Sequence, residues 1–115
     1  MKTGYVYILS NSKREVLYIG VTGNLERRIL RHKSGFGSEF TQKYKLNTLL
    51  YYEQIHGMKN AISREKQLKN WHRDWKWNLI SNENPELLDL AEDWFTLDEI
   101  HEFKLMMENK FAGRF

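Results

Sequence analysis

Two stretches of this sequence place ionisable side chains where an apolar residue would serve folding better. A helix over residues 25–33 aligns Leu25 with Ile29 as its apolar stripe. At roughly 100° per residue, Arg28 falls about 60° from Leu25 and His32 about 20° from it. Both sit at the margin of a buried face, one turn apart, while Arg27 points into water and Arg31 lies between. A guanidinium at a core margin is rigid and partly desolvated, which suits it to stabilise charge on a phosphate. An arginine with a packed stem and a solvated head satisfies the same pattern, and His32 fits equally a hydrogen-bonded boundary histidine. A second helix, expected over residues 58–77, has Met58, Ala61, Leu68 and Trp75 as its stripe, with Glu65 inside it. A carboxylate on a buried face is costly unless it is paired or binds a metal. Two partners fit: an arginine of the earlier helix, or a divalent cation. A single carboxylate completed by water and substrate oxygens makes a sensible magnesium site.

These side chains need a scaffold, and the residue pattern supplies one. Residues 5–9 and 16–19 are β-branched and aromatic and read as a hairpin across the polar turn 10–15. Asn24 is placed to cap the helix over 25–33. Residues 35–38, Gly-Phe-Gly-Ser, break that helix, and a short one over 39–44 follows. Residues 48–55 read as a third strand, ended by Gly57 ahead of the long helix. Pro85 fits the start of a short helical turn over 86–91. Thr96 to Glu99 looks like a capping box opening a last helix over 97–110, with Ile100, Phe103 and Met107 on one stripe. The order predicts an α/β fold: a small three-stranded, mostly antiparallel sheet flanked by helices, with an extra C-terminal helix. A six-residue turn is too short for a parallel crossover. Tyr51, Tyr52, Trp71, Trp75 and Trp77 are expected mainly in the core, with stacking on exposed bases as the alternative.

Composition narrows the chemistry. The chain has 115 residues, 41% hydrophobic and 29% charged, as expected of one globular domain. Cysteine is absent, which excludes disulfides, thiolate metal sites and cysteine nucleophiles. No apolar run reaches the roughly 18 residues of a membrane helix, and the amino terminus lacks a secretory signal, so a cytoplasmic location is the default expectation. The net charge of +3 hides an asymmetry. Residues 1–81 hold fifteen Lys and Arg against six Asp and Glu, and residues 82–115 hold three against nine. A basic body suits a polyanion such as nucleic acid, although a solvated basic face has the same composition.

Short motifs then join these features. Tyr5-Val6-Tyr7, followed after ten residues by Tyr18-Ile19-Gly20, resembles the paired motifs of the GIY-YIG endonuclease family. The second motif is exact; in the first, Tyr5 and Val6 stand for Gly and Ile. Gly23-Asn24-Leu25-Glu26-Arg27-Arg28 resembles the family's helix, with Arg28 at its catalytic arginine. His32 falls where relatives carry another active-site polar or aromatic residue. Ala61-Ile62-Ser63-Arg64-Glu65 resembles the segment presenting the metal-binding glutamate, and Asn84 matches a late structural or active-site asparagine. The resemblance covers residues 4–90 and is greatest to compact single-domain members related to the excinuclease nuclease module.

The resemblance implies a metal-dependent DNA endonuclease domain over residues 1–92, with an acidic amphipathic helix over 93–115 on or beside it, and a place in DNA repair or recombination. Glu65 would hold one magnesium or manganese ion, and Arg28 would neutralise charge on the phosphorane. Tyr7 or Tyr18 would serve as the base for water, with His32 a further candidate. Arg31, Lys43, Lys45 and Lys66 would contact flanking phosphates without reading bases, and a protein partner would supply targeting. Two other readings stay open: a nucleic-acid-binding module of this fold that no longer cuts, since Val21 stands where some relatives have lysine, and an interaction protein acting through its C-terminal helix.

Overall fold

The structure is a computed structural model that describes residues 2–112, with side chains through Lys110. Three strands, β1 (Thr3–Ser10), β2 (Leu17–Thr22) and β3 (Thr48–His56), form one sheet in the order β2-β1-β3. Both pairings are antiparallel, so the sheet is antiparallel throughout rather than mostly so. In register, Tyr7 of β1 faces Gly20 on one side and Tyr52 on the other. A bulge in β3 opposite Ile8 and Leu9 inserts an extra residue.

The helices are α1 (Leu25–Lys33), α2 (Glu39–Lys43), α3 (Met58–Lys69), α4 (Arg73–Glu83) and α5 (Leu97–Ala112). Side chains of β1 alternate between two cores because successive residues of a strand point to opposite faces. Val6 and Ile8 pack with Ile19, Leu50, Ala61, Leu68 and Ile80 under α3 and α4. Tyr7 and Leu9 pack with Leu25, Ile29, Leu46 and Leu49 under α1. The central strand therefore sits between α1 on one face and α3 with α4 on the other.

Local chemistry sets most of these boundaries. Asn24 caps α1, its side-chain oxygen accepting from the Arg27 N–H at 3.1 Å. At α5 the capping box forms as expected: the Thr96 N–H donates to Glu99 Oε1 and the Glu99 N–H to Thr96 Oγ1, each at 3.1 Å. Phe103 and Met107 are buried and Ile100 is half-buried, and α5 packs against α1. Among the described residues no helix is long and apolar enough to cross a membrane.

Three expectations need correction. The single helix over 58–77 is two helices. Asn70 closes α3 with its N–H on the Lys66 and Gln67 carbonyls, and His72 is extended (φ −59°, ψ 150°), so the wheel cannot continue to Trp75. Trp75 accordingly lies 55% exposed, and Tyr52 41% exposed, outside the expected core. The helical turn after Pro85 is absent: Leu87 has φ 54°, and its carbonyl is clamped by Arg14 Nε and Nη2 at 3.1 and 2.9 Å. Asn84 is a buried strut there, its amide donating to the Leu50 and Leu88 carbonyls and accepting from the Leu88 N–H.

Candidate active site

The Tyr18 phenol and the Tyr7 ring share the sheet face that α1 covers, Tyr7 from the central strand and Tyr18 from the edge strand β2. The cross-strand partner of Tyr7 is Gly20, and a Cβ built there would fall against Tyr7 Cζ, its hydroxyl and Cε1. The last residue of the YIG motif is thus a gap through which the Tyr7 ring lies across β2. On α1, Leu25 and Ile29 anchor the helix, and His32 follows them into the interior with only 7% exposure. Its Nε2 lies 3.2 Å from the Tyr7 hydroxyl. Ring centroids are 5.8 Å apart for Tyr7–His32, 6.1 Å for Tyr18–His32 and 6.3 Å for Tyr7–Tyr18, a closed triangle. Gly37 closes over the imidazole, since any side chain there would strike His32 Nδ1 and Thr41 Oγ1. That Nδ1 is buried without a hydrogen-bond partner among the described residues.

Burial dominates the electrostatics. It pushes the His32 imidazole down to about 4, with Arg28 and Arg31 adding to the effect, so the ring is neutral at physiological pH. Burial also pushes the Tyr7 hydroxyl up to about 12. Arg28 beside it works the other way, while Tyr18 and Glu65 reinforce the rise. Arg28 is half-buried and makes no salt bridge among the described residues; Arg27 is exposed and covers the Phe103 ring at 5.5 Å.

Glu65 sits at the margin of its helix face, its side chain 13% exposed. Of the two partners the sequence left open, the arginine of α1 does not pair with it; Lys69, one turn along, does, with Nζ 3.2 Å from Oε1. Among the described residues no group of three His, Asp or Glu could cage a metal. A shielded carboxylate whose one ionic partner is a half-exposed lysine fits a hard divalent cation that keeps most of its waters. A fully protein-ligated ion does not fit.

Two clefts meet at Tyr18. One, about 220 Å³, is lined by Tyr18, Arg28, Arg31, His32, Gly37 and Ser38. The other, about 280 Å³, is lined by Leu17, Tyr18, Ile19, Phe40, Lys69 and Lys76. The fold therefore brings Tyr7, Tyr18, Arg28 and His32 together, with Arg31 on the same cleft and Glu65 joined through Lys69. Lys43 is exposed on α2, 5.4 Å from the Tyr44 ring, and Lys66 is exposed on α3. Lys45 lines a separate groove with Asn11, Lys13 and Tyr44. Phe40, Lys69 and Lys76 were not among the expected site residues. Lys69 is legible as the fourth residue after Glu65; the other two become neighbours only through the tertiary fold.

The GIY-YIG catalytic domain, as a sequence family, matches residues 3–78. A UPF0213 protein of Clostridium perfringens is 41% identical over 80 residues, covering 70% of this chain and 85% of that one. A UPF0213 protein of Syntrophus aciditrophicus is 37% identical over 87 residues, covering 75% and 98% respectively. Among solved structures, the solution NMR structure of a UPF0213 protein from Bacillus halodurans is 27% identical, with TM-score 0.49, covering 79% of this chain and 97% of that chain.

Proposed function

The chain belongs to the GIY-YIG catalytic-domain family, and from that membership and the geometry at Tyr18 we propose that it is a DNA endonuclease using one divalent cation to hydrolyse phosphodiester bonds. The observation that carries this reading is Arg28: a half-buried guanidinium beside the Tyr7 hydroxyl, with no salt bridge among the described residues, lining an open cleft with Tyr18. A guanidinium that no salt bridge occupies is available to an entering phosphate.

The four side chains divide the work by burial. Tyr7 is fully buried, holds its proton up to about pH 12 and is tied to His32, so it positions rather than titrates. Tyr18 is the phenol with access to both clefts and is the group that meets the attacking water. The new bond joins the water oxygen to phosphorus as the bond to the 3′ oxygen breaks. The water proton passes to the Tyr18 oxygen as that phenol gives its own proton to solvent, and the departing 3′ oxygen takes one from solvent. Arg28 neutralises the charge that grows on the non-bridging oxygens. Glu65 would hold magnesium or manganese, which supplies Lewis-acid charge to phosphate and leaving oxygens when bound. Neutral His32 fixes the Tyr7 hydroxyl and stiffens the wall beneath Arg28. Arg31 on the cleft and the exposed Lys43 and Lys66 would contact flanking phosphates, and Lys45 a more distant one.

The test is a cleavage assay on end-labelled single-stranded, duplex and branched DNA with magnesium, manganese or chelator. Cation-dependent products that vanish with chelator are expected. Retained binding without cleavage under every condition would leave a binding module of the same fold.

A further inference from the structure

The second cleft has a composition that the hydrolytic site does not require. Leu17 and Ile19 from β2, the Phe40 ring, Lys69 and Lys76 line it together with Tyr18. Phe40 stands 45% exposed and Tyr44 42% exposed. They lie one turn apart, at and just past the ends of α2, a helix of five residues whose buried residue is Thr41. Neither ring is therefore spent on the core. Phe40 instead stacks on Tyr18, with centroids 6.2 Å apart and planes at 29°, and Tyr44 tilts against Phe40 at 4.8 Å. The result is an aromatic row running outward from the proposed phosphate site. Three lysines lie near it: Lys43 beside the Tyr44 ring, and Lys76 and Lys69, the latter paired with Glu65, on the slot lining. Lys76 Nζ rests on the Lys69 carbonyl at 3.3 Å and carries no salt bridge among the described residues.

We propose that this slot takes an unpaired nucleobase of a DNA strand, stacked on Phe40, with its phosphate at Lys76, so that the preferred substrate is single-stranded next to the cut. An exposed aromatic ring in a cleft lined by apolar side chains suits a π-face, and lysines on the same lining suit a phosphodiester backbone. Bases inside a duplex are already stacked and cannot enter without being unpaired. Because Tyr18 walls both clefts, a base in the slot belongs to the strand whose phosphate lies at Arg28. This inference rests on the nuclease reading for the orientation of that strand, whereas its binding arm needs no cleavage.

The experiment measures affinity of the full chain for a fluorescent oligothymidylate and for a duplex of equal length, both without divalent cation. Phe40→Ala is expected to weaken single-strand binding roughly 5- to 150-fold, the range of one lost base–aromatic stack, and to affect duplex binding far less. Phe40→Trp should restore it, and 2-aminopurine in the strand should be quenched by the parent chain and not by Phe40→Ala. Tyr44→Ala, which removes the neighbouring ring of the row, gives a second reading if Phe40→Ala melts early. Equal losses on both probes, or none, would overturn the slot. If no DNA is ever cut yet single-strand binding still depends on Phe40, the slot stands and the nuclease reading falls. If DNA is cut and Phe40→Ala binds and cuts single strands like the parent, the slot falls and the nuclease reading stands.

Discussion

Tyr7 lies across Gly20, its ring filling the space that any side chain at Gly20 would need. This cross-strand relation ties two motif residues thirteen positions apart into one device. It frees the Tyr7 hydroxyl to meet His32 from α1, and it leaves Tyr18, two residues before Gly20 on the edge strand, to face the clefts.

Gly20→Ala should therefore do two things. The added methyl overpacks a buried ring, at a cost of roughly 1–3 kcal/mol in stability. It also pushes Tyr7 off His32, so cleavage should fall even at temperatures where the variant is folded. Thermal melts paired with initial rates separate the two effects; full activity in a destabilised variant would show that the Tyr7–His32 contact is only structural.

His32 makes acid stability predictable. In the unfolded chain its imidazole takes up a proton as pH falls through about 6.5, whereas the folded ring holds out until about 4. The unfolded state binds more protons between those values. The contribution is thus fully present above pH 6.5 and is lost as pH falls towards 4, at most about 3 kcal/mol in all. NMR titration should show the His32 ring changing state near pH 4, and His32→Gln should flatten the stability profile in that window. A His32 titration near 6.5 would contradict the burial of this ring.

Lys69 competes for the carboxylate that would hold the cation. The pair is half-exposed on the lysine side, so its worth is that of a surface ion pair, up to about 1 kcal/mol. Lys69→Gln should tighten manganese binding by up to about fivefold, read by electron paramagnetic resonance without DNA, where the base slot has no influence. Weaker binding in that variant would mean that Lys69 supports the site rather than occupying it.

Much of this arrangement can be read from residue order. The spacing of Leu25, Ile29 and His32 places Arg28 at a core margin, and Thr96 with Glu99 marks the start of α5; both hold in three dimensions. The break between α3 and α4 is not legible, because neither glycine nor proline marks it. It depends on Asn70 closing one helix and on Trp71 packing against the core under α3. The different roles of Tyr7 and Tyr18 are equally hidden in sequence. Both are motif tyrosines, and only the docking of α1 and the empty side of Gly20 bury one and leave the other at the cleft. Glu65, read inside the apolar stripe, lies at its margin, and of its two candidate partners the α1 arginine gives way to the local lysine, since one helical turn brings Lys69 within reach without ordering any other element.

The most direct test is the single-turnover cleavage rate of Arg28→Ala at saturating DNA and cation, with folding verified by its melt. If the Arg28 guanidinium stabilises the transition state, the rate should fall about 100- to 1,000-fold while DNA affinity changes little. A folded Arg28→Ala that cuts at the parent rate would contradict the account.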